Sequence, residues 1–267
     1  MIWFAVSGVF WIVGGFMYGH AREALWGLAL IVDYVSAGFR YPVPILGRVP
    51  LVQYHKAGEH LGERYQQFMI LALGDLILVP TIEYSRTDPT AARTTAFLVT
   101  FCTTLLLWQI YVYRAGALLL TVVNRRPGRV VRWAPYTHVI MVAGIVGMAA
   151  GFDMVIQRPV DRTPVGLIAV VVGGAVLFLA GRGAFEYQVY GRLYVPRFVS
   201  LGVLIGLSPL VRVLAPYEVV IAMAVLLLGV AVTDTVAVHW ARRRDPASIE
   251  PPGEEAPPPT TGGRTAR

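Results

Sequence analysis

Long apolar runs separated by short polar breaks dominate the chain. A helix needs about 20 mostly apolar residues to cross a bilayer, and eight runs approach or exceed that length. The runs are apolar on all sides, which lipid tolerates and water does not. They do not alternate in hydrophobicity as the strands of a membrane barrel do. The helices that this pattern predicts are 2–19, 22–38, 64–83, 94–120, 135–156, 164–182, 196–214 and 217–239.

The predicted fold class is therefore all-α: a polytopic transmembrane helix bundle of about eight helices, within residues 1–240. The first run has no basic residue before it and no clear small-residue cleavage site, so it is interpreted as a helix of the bundle and not as a signal peptide. Pro209 falls inside the seventh run and is expected to kink or shorten that helix. Residues 241–267 are rich in Pro, Gly, Thr and Glu and are predicted to form a disordered cytoplasmic tail.

Composition supports a membrane protein and argues against a nucleic-acid-binding one. The chain is 56% hydrophobic and 15% charged, whereas a soluble domain carries about 25% charged residues. The formal net charge is +7, but the arginines stand in the breaks between apolar runs, where they orient helices in a bilayer. The lipid bilayer is therefore the predicted partner, and nucleic acid is not.

The distribution of basic residues predicts the orientation. If the eight runs cross alternately from a cytoplasmic N-terminus, the inner segments hold 13 basic residues and the outer segments hold 6. Cytoplasmic loops of membrane proteins carry the excess of Lys and Arg. We therefore expect a multi-pass protein of the bacterial plasma membrane with both termini in the cytoplasm.

The third helix carries the densest set of polar residues within an apolar run. At about 100° per residue these side chains fall within a stripe about 120° wide. Because a charge at the bilayer centre costs roughly 2.5–3.5 kcal/mol, the stripe is expected to face the bundle interior and to line a polar path or cluster. Its members are His60, Glu63, Arg64, Gln67, Gly74 and Asp75.

Further polar residues stand inside other apolar runs. Asp33 and Asp75 are expected near mid-membrane, where a protonatable acid suits a proton relay. Arg64 is expected to pair with a carboxylate elsewhere in the bundle. The structural alternatives are buried ion pairs that fix helix order and hydrogen-bonded histidines near the interface. The candidates outside the third helix are Asp33, Arg114, His138 and Asp234.

No cofactor or metal is predicted. The chain has no HExxH, P-loop or GxSxG motif. Its single cysteine, Cys102, lies in an apolar run and cannot form an intrachain disulfide or a paired-cysteine site.

The third-helix sequence His60-Leu61-x-Glu63-Arg64-x-x-x-Phe68-x-Ile70-x-Ala72-Leu73-Gly74-Asp75 resembles the signature of the bacterial low-temperature-requirement A (LtrA) family. The family usually has Glu where this chain has Asp75. The segments 3–9, 136–146 and 178–185 also resemble helices of the family. The resemblance implies a membrane protein shortened at its N-terminus, where members carry further helices with a Glu-Leu-Phe-Phe-Asp-like motif. The family name records a growth phenotype and implies no reaction, substrate or cofactor.

Three classes of function remain open. The first is a transporter, channel or proton-coupled permease for protons or a small solute, with a polar path along the third helix. The second is a non-catalytic membrane protein needed for growth at low temperature. The third is a membrane enzyme acting on lipid-linked substrates, with His60 and Glu63 as acid–base groups. Ionisable residues inside a membrane point first to ion pathways, which favours transport over an enzyme.

Overall fold

A computed structural model describes residues 2–43, 47, 58–125, 127–191 and 195–244. Within these ranges, the description leaves out the side chains of residues 58–62, 113–125, 127–132, 189–190, 238 and 240–244. The described residues form eight α-helices and one short 3-10 helix, Leu210–Val213, with no strand, which confirms the all-α prediction. The predicted disorder of the tail from residue 245 onward lies outside the described residues. The helices are α1 (Ile2–Phe16), α2 (His20–Gly38), α3 (Gly58–Ser85), α4 (Ala91–Arg125), α5 (Pro127–Gln157), α6 (Val165–Tyr190), α7 (Val195–Leu207) and α8 (Pro216–Arg244).

Five of these helices, α3, α4, α5, α6 and α8, contain segments long and apolar enough to cross a membrane. The prediction of a polytopic helical membrane bundle is thus confirmed, while the expected number of eight full-length spans is not. The segments that meet the criteria are Glu63–Ser85, Ala91–Val112, Trp133–Gln157, Val165–Gln188 and Pro216–Ala237.

The other three helices fall short for different physical reasons. Helix α1 has 15 residues and α7 has 13, so α7 is about 20 Å long against a hydrocarbon core of about 30 Å. It stops at Leu207 because Ser208-Pro209 interrupts the run, as expected for Pro209. Helix α2 has 19 residues but includes Arg22, Glu23 and Asp33, which make it too charged to qualify by composition.

Helices α3 to α8 run antiparallel to their neighbours in sequence, so their ends gather at two opposite sides of the bundle. At one side, Arg93 Nε near the start of α4 donates to the Ile156 carbonyl near the end of α5, 2.8 Å away. There too, Thr163 Oγ1 before α6 donates to the Leu214 carbonyl before α8, at 2.6 Å. We call this side the Arg93 end. The start of α3, the start of α5 and the end of α6 lie at the other side, the His138 end.

The closest helix pair is α5 with α6, and glycines make the approach possible. A Cβ added to Gly174 would lie 2.6 Å from the Gly144 carbonyl oxygen, and one added to Gly181 would lie 2.9 Å from the Thr137 carbonyl oxygen. Small residues let helix backbones pack directly against each other in lipid, where no hydrophobic force draws helices together. Gly147 and Gly151, four residues apart on one face of α5, join this contact.

The buried apolar core surrounds α5, which packs against α3, α4 and α6. Its largest fully buried side chains include Phe152, Phe178, Tyr111 and Met69. Helices α1 and α2 form a separate hairpin, in which Trp26 packs over Gly14. The hairpin reaches α5 through the Tyr136 hydroxyl, which donates to the Tyr34 carbonyl at 2.6 Å.

The glycine contact yields a paired prediction on one helix. Gly174→Ala is expected to lower the melting temperature of the purified protein in detergent, because the new methyl group meets backbone and overpacking costs about 1–3 kcal/mol. Gly173→Ala is the matched control, since a Cβ there has no heavy atom within 4 Å. Equal melting temperatures for the two variants would contradict this account of the contact.

The orientation stays a prediction, with one revision to its basis. Arg182 and Arg197, both counted as inner loop residues, are buried within the bundle. Without them the basic residues number 11 inside and 6 outside, so the bias toward a cytoplasmic His138 end remains.

Reporter fusions test this orientation. Position 86 follows α3 and position 124 lies near the end of α4, so one spanning helix separates them. We expect a periplasm-dependent reporter fused at Arg86 to be active and the same reporter fused at Asn124 to be inactive. Activity at both positions, or at neither, would show that the assigned topology is wrong.

Candidate functional site

The polar residues of α3 do share one helix face, but within the described part of the chain that face points away from the other helices. Glu63, Arg64, Gln67 and Asp75 are all exposed. The opposite face is fully or almost fully buried against α4 and α5, and its members are Met69, Ala72, Leu73 and Leu76. The expectation that the stripe faces the interior is therefore wrong for this chain. The apolar side chains on the other face supply the packing contacts, and the polar ones are left outside.

The remaining predicted residues have different surroundings. The side chains of His60 and Arg114 lie outside the described set. Asp33 is half-buried between α1 and α2, where Trp11 Nε1 donates to its Oδ2 at 3.5 Å. Arg64, expected to pair with a carboxylate, has none within 4.0 Å among the described side chains. Buried arginine–carboxylate pairs do occur in this bundle, on other residues.

His138 is the predicted candidate that does lie in the interior. Its Nδ1 is 2.8 Å from the Ala134 carbonyl oxygen, one turn earlier on α5. A carbonyl only accepts, so the proton belongs on Nδ1, and Nε2 is left to accept from the Tyr111 hydroxyl at 3.2 Å. The imidazole also stacks on Tyr65 with 4.4 Å between ring centroids and meets the edge of Phe185 at 5.1 Å. Both ring nitrogens thus have partners, and the ring is held between α3, α4 and α6.

A charge network lies beside this histidine. Arg182 Nη2 is 3.3 Å from Glu186 Oε1, one turn further along α6. Arg197, at the start of α7, places Nε 3.4 Å from Glu186 Oε2 and Nη2 2.5 Å from Asp234 Oδ2 on α8. All four residues are at most 3% exposed. Two positive and two negative charges on three helices therefore balance within the described part of the chain.

Of these four residues, only Asp234 had been singled out from the sequence. The predicted sixth helix ended at residue 182, so Arg182 looked like a loop charge, but α6 continues to Tyr190. The four-residue spacing of Arg182 and Glu186 places them on one helix face and was the available signal. Arg197 stood at the start of the predicted seventh helix, 196–214, and was counted only as a cytoplasmic basic residue.

The histidine and the charges form one continuous set, which we call the polar layer. Arg182 links its two halves, because its Nε donates at 3.3 Å to the carbonyl of Ile110, the residue before Tyr111. His138 lies five residues into the Trp133–Gln157 segment, or about 8 Å along the helix axis. The layer thus lies inside the bundle at its His138 end. Its members are Tyr65, Tyr111, His138, Arg182, Glu186, Arg197 and Asp234.

The family model for the bacterial low temperature requirement A protein matches residues 1–232, which include every member of the polar layer except Asp234. The chain belongs to the LtrA family. The resemblance carried by the third helix is thereby confirmed, and with the five long apolar helices it makes the protein a multi-helix membrane protein.

An uncharacterized protein of Rhizobium meliloti (strain 1021) is 31% identical to this LtrA protein over 244 residues. The match covers 90% of this chain and 60% of the relative, so the chain spans less than two thirds of the relative's length. No solved structure matches the chain. The relatives thus establish the family and leave the chemistry to be argued from the residues.

The balanced charges yield a prediction about stability. Asp234→Leu is expected to lower the free energy of unfolding by roughly 3–5 kcal/mol, because Arg197 loses a partner and the layer acquires a net buried charge. Adding Arg197→Met should recover a large part of that loss, since the double variant is neutral again. The measurement is thermal unfolding of the purified protein in detergent.

A matched surface carboxylate serves as the control. Asp161 is exposed in the loop before α6, so Asp161→Asn should unfold like the wild type. If the losses of Asp234→Leu and Arg197→Met simply add in the double variant, the two side chains are not coupled as described.

Proposed function

We propose that this LtrA family protein is a membrane transporter, of the proton-coupled permease kind, that moves protons or a small solute across the bacterial plasma membrane. The proposal rests on a network of four buried charges that holds α7, a helix too short to span the membrane, in the bundle. The polar path then follows the inner side of α3, where Tyr65 faces His138, and not the outer side with Asp75.

Buried charges are an expensive way to hold helices together. Removing ions from water costs several kcal/mol each, and well-packed apolar residues in their place are often as stabilising or more so. This bundle already has direct glycine-mediated packing between α5 and α6. Ionisable residues retained at such cost inside a membrane protein usually serve an ion or substrate path. The same reasoning favours a functional role for the polar layer.

Helix α7 is short and has few buried residues, so it can change position more easily than its neighbours. It has 13 residues, a break at Ser208-Pro209 and exposed side chains along most of its length. Arg197 and Leu204 are its buried residues. Interrupted helices beside charged groups are typical of the substrate and ion sites of secondary transporters. Protonation of Glu186 or Asp234 would weaken the attachment of Arg197, which couples proton binding to the position of α7.

The second candidate, a non-catalytic membrane protein needed at low temperature, is favoured by one observation. The four described charges of the polar layer are two positive and two negative, and they pair with one another. A balanced network fits a role in fixing helix order as well as a role in transport. A flux measurement separates the two functions.

The test is proton flux into liposomes that contain the purified protein, driven by an imposed pH difference and followed with a trapped pH-sensitive dye. We expect flux above that of empty liposomes. Tyr111→Phe should reduce it several-fold, because the variant keeps the ring but removes the hydroxyl that donates to His138. Proton transfer along hydrogen-bonded side chains needs that hydroxyl.

A second tyrosine provides the control. Tyr84→Phe removes a hydroxyl that contacts Thr94 at the Arg93 end, 2.9 Å away and on the opposite side of the bundle. Its flux should equal that of the wild type. Asp75→Asn should also leave flux unchanged if the path is internal. A loss of flux in Asp75→Asn would instead place the path on the outer side of α3. Wild-type flux no greater than that of empty liposomes would favour the non-catalytic function.

A further inference from the structure

The outer face of α3 presents polar groups at a depth where a single copy would meet lipid. Asp75 lies 12 residues into the Glu63–Ser85 segment, about 18 Å from its start and near the middle of the membrane. Gln67 and Asp75 are exposed, and a Cβ added to Gly74 would have no heavy atom within 4 Å. The described part of the chain places nothing over this face.

Such a face is unfavourable against lipid. An aspartate at the helix centre costs roughly 2.5–3.5 kcal/mol on insertion scales, and ionisable residues in membrane helices almost always face protein or a water-filled cavity. The polar members recur every three or four residues from Glu63 to Asp75 and therefore lie on one side of the helix. The neighbouring apolar side chains Phe68 and Ile70 are exposed as well. The face is a continuous surface with the geometry of a helix–helix interface. Its central members are Glu63, Arg64, Gln67, Leu71, Gly74 and Asp75.

We propose that this face is where two copies of the chain pair, α3 against α3, about a two-fold axis along the membrane normal. In a two-fold interface, residue i contacts residue j of the partner and j contacts i in return. Glu63 and Arg64 are adjacent, exposed and opposite in sign. The pairing sets Glu63 against the partner's Arg64 and Arg64 against the partner's Glu63, so the face is complementary to itself.

The rest of the face suits the same arrangement. Gln67 points between Glu63 and Arg64, so it lies nearest the axis, where it meets the partner's Gln67 and can both donate and accept. Asp75 lies on the same side of the axis as Arg64, so it packs beside the partner's Gly74 and away from lipid. The open space at Gly74 allows close approach of the two helices. Lipid would leave all of these groups unpaired, and a partner of a single charge sign would leave either Glu63 or Arg64 unpaired.

Disulfide cross-linking in native membranes tests the pairing. Cys102 is first replaced by Cys102→Ser, because it is exposed and is the single cysteine of the chain. Leu71→Cys then places a thiol at the centre of the face, and Ile70→Cys places one on the adjacent, off-face position. The native side chains are similarly exposed, at 71% and 57%. On mild oxidation, we expect Leu71→Cys to give at least ten-fold more covalent dimer than Ile70→Cys.

Charge reversal provides the second arm, in the Leu71→Cys background. Glu63→Arg should reduce the dimer several-fold, because the introduced arginine then faces the partner's Arg64. The double swap Glu63→Arg with Arg64→Glu should restore it, since the opposite signs again face each other. Both residues are exposed, so the variants are expected to reach wild-type yield.

The outcomes are distinguishable from those of the transport assay, because the readout is the mass of a covalent product and needs no flux. A cross-linked product of twice the chain mass, confined to Leu71→Cys and restored by the double swap, supports the pairing. Equal cross-linking at both positions, absence of the dimer at Leu71→Cys, or a product of any other mass would overturn it.

Discussion

Arg197 makes the contacts on which the arrangement of the last three helices depends. Helix α7 is too short to span the hydrocarbon core and presents most of its surface outward, so apolar packing holds it weakly. The guanidinium of Arg197 fixes it to α6 through Glu186 and to α8 through Asp234. A planar group with five donors can engage two carboxylates at once, which a lysine cannot do with the same geometry. The position of α7 therefore depends on the charge of two acids.

The helices themselves were predictable from the apolar runs, because lipid admits few alternatives to an α-helix. What the runs did not determine was where each helix stops. The predicted sixth helix ended at residue 182, whereas α6 continues to Tyr190, since arginine and glutamate continue a helix well when they can pair within it. The predicted seventh helix reached residue 214, whereas Pro209 ends α7 early. Arg182 and Arg197 stood at the ends of predicted helices and were counted as cytoplasmic basic residues, while Glu186 fell beyond the predicted sixth helix, so none of the three entered the predicted site.

The stripe on α3 shows a different limit of sequence reasoning. Helical periodicity gives the angle between Gln67 and Asp75 but does not say which direction faces the bundle. The usual rule that polar residues turn inward assumes that the chain in hand supplies every neighbour of the helix. Here Met69, Leu73 and Leu76 form the inner contacts. None of the described residues covers the polar face, so its cover must come from elsewhere. His138 does lie in the interior, where a histidine with carbonyl and hydroxyl partners can be buried at small cost.

The two polar features thus place different demands on the protein. The described charges of the polar layer are two positive and two negative and belong to one chain, so folding of a single copy brings them together. Protonation of either acid would change that balance. Among the described residues, the outer face of α3 has no such compensation, and in the proposed pairing a second copy supplies it. Tyr65, which packs on His138, and the outer face lie on opposite sides of α3. A shift of α3 at its outer contact would therefore also move the ring that packs on the histidine. Association and the state of the polar layer are then linked through a single helix, without any contact between the two sites.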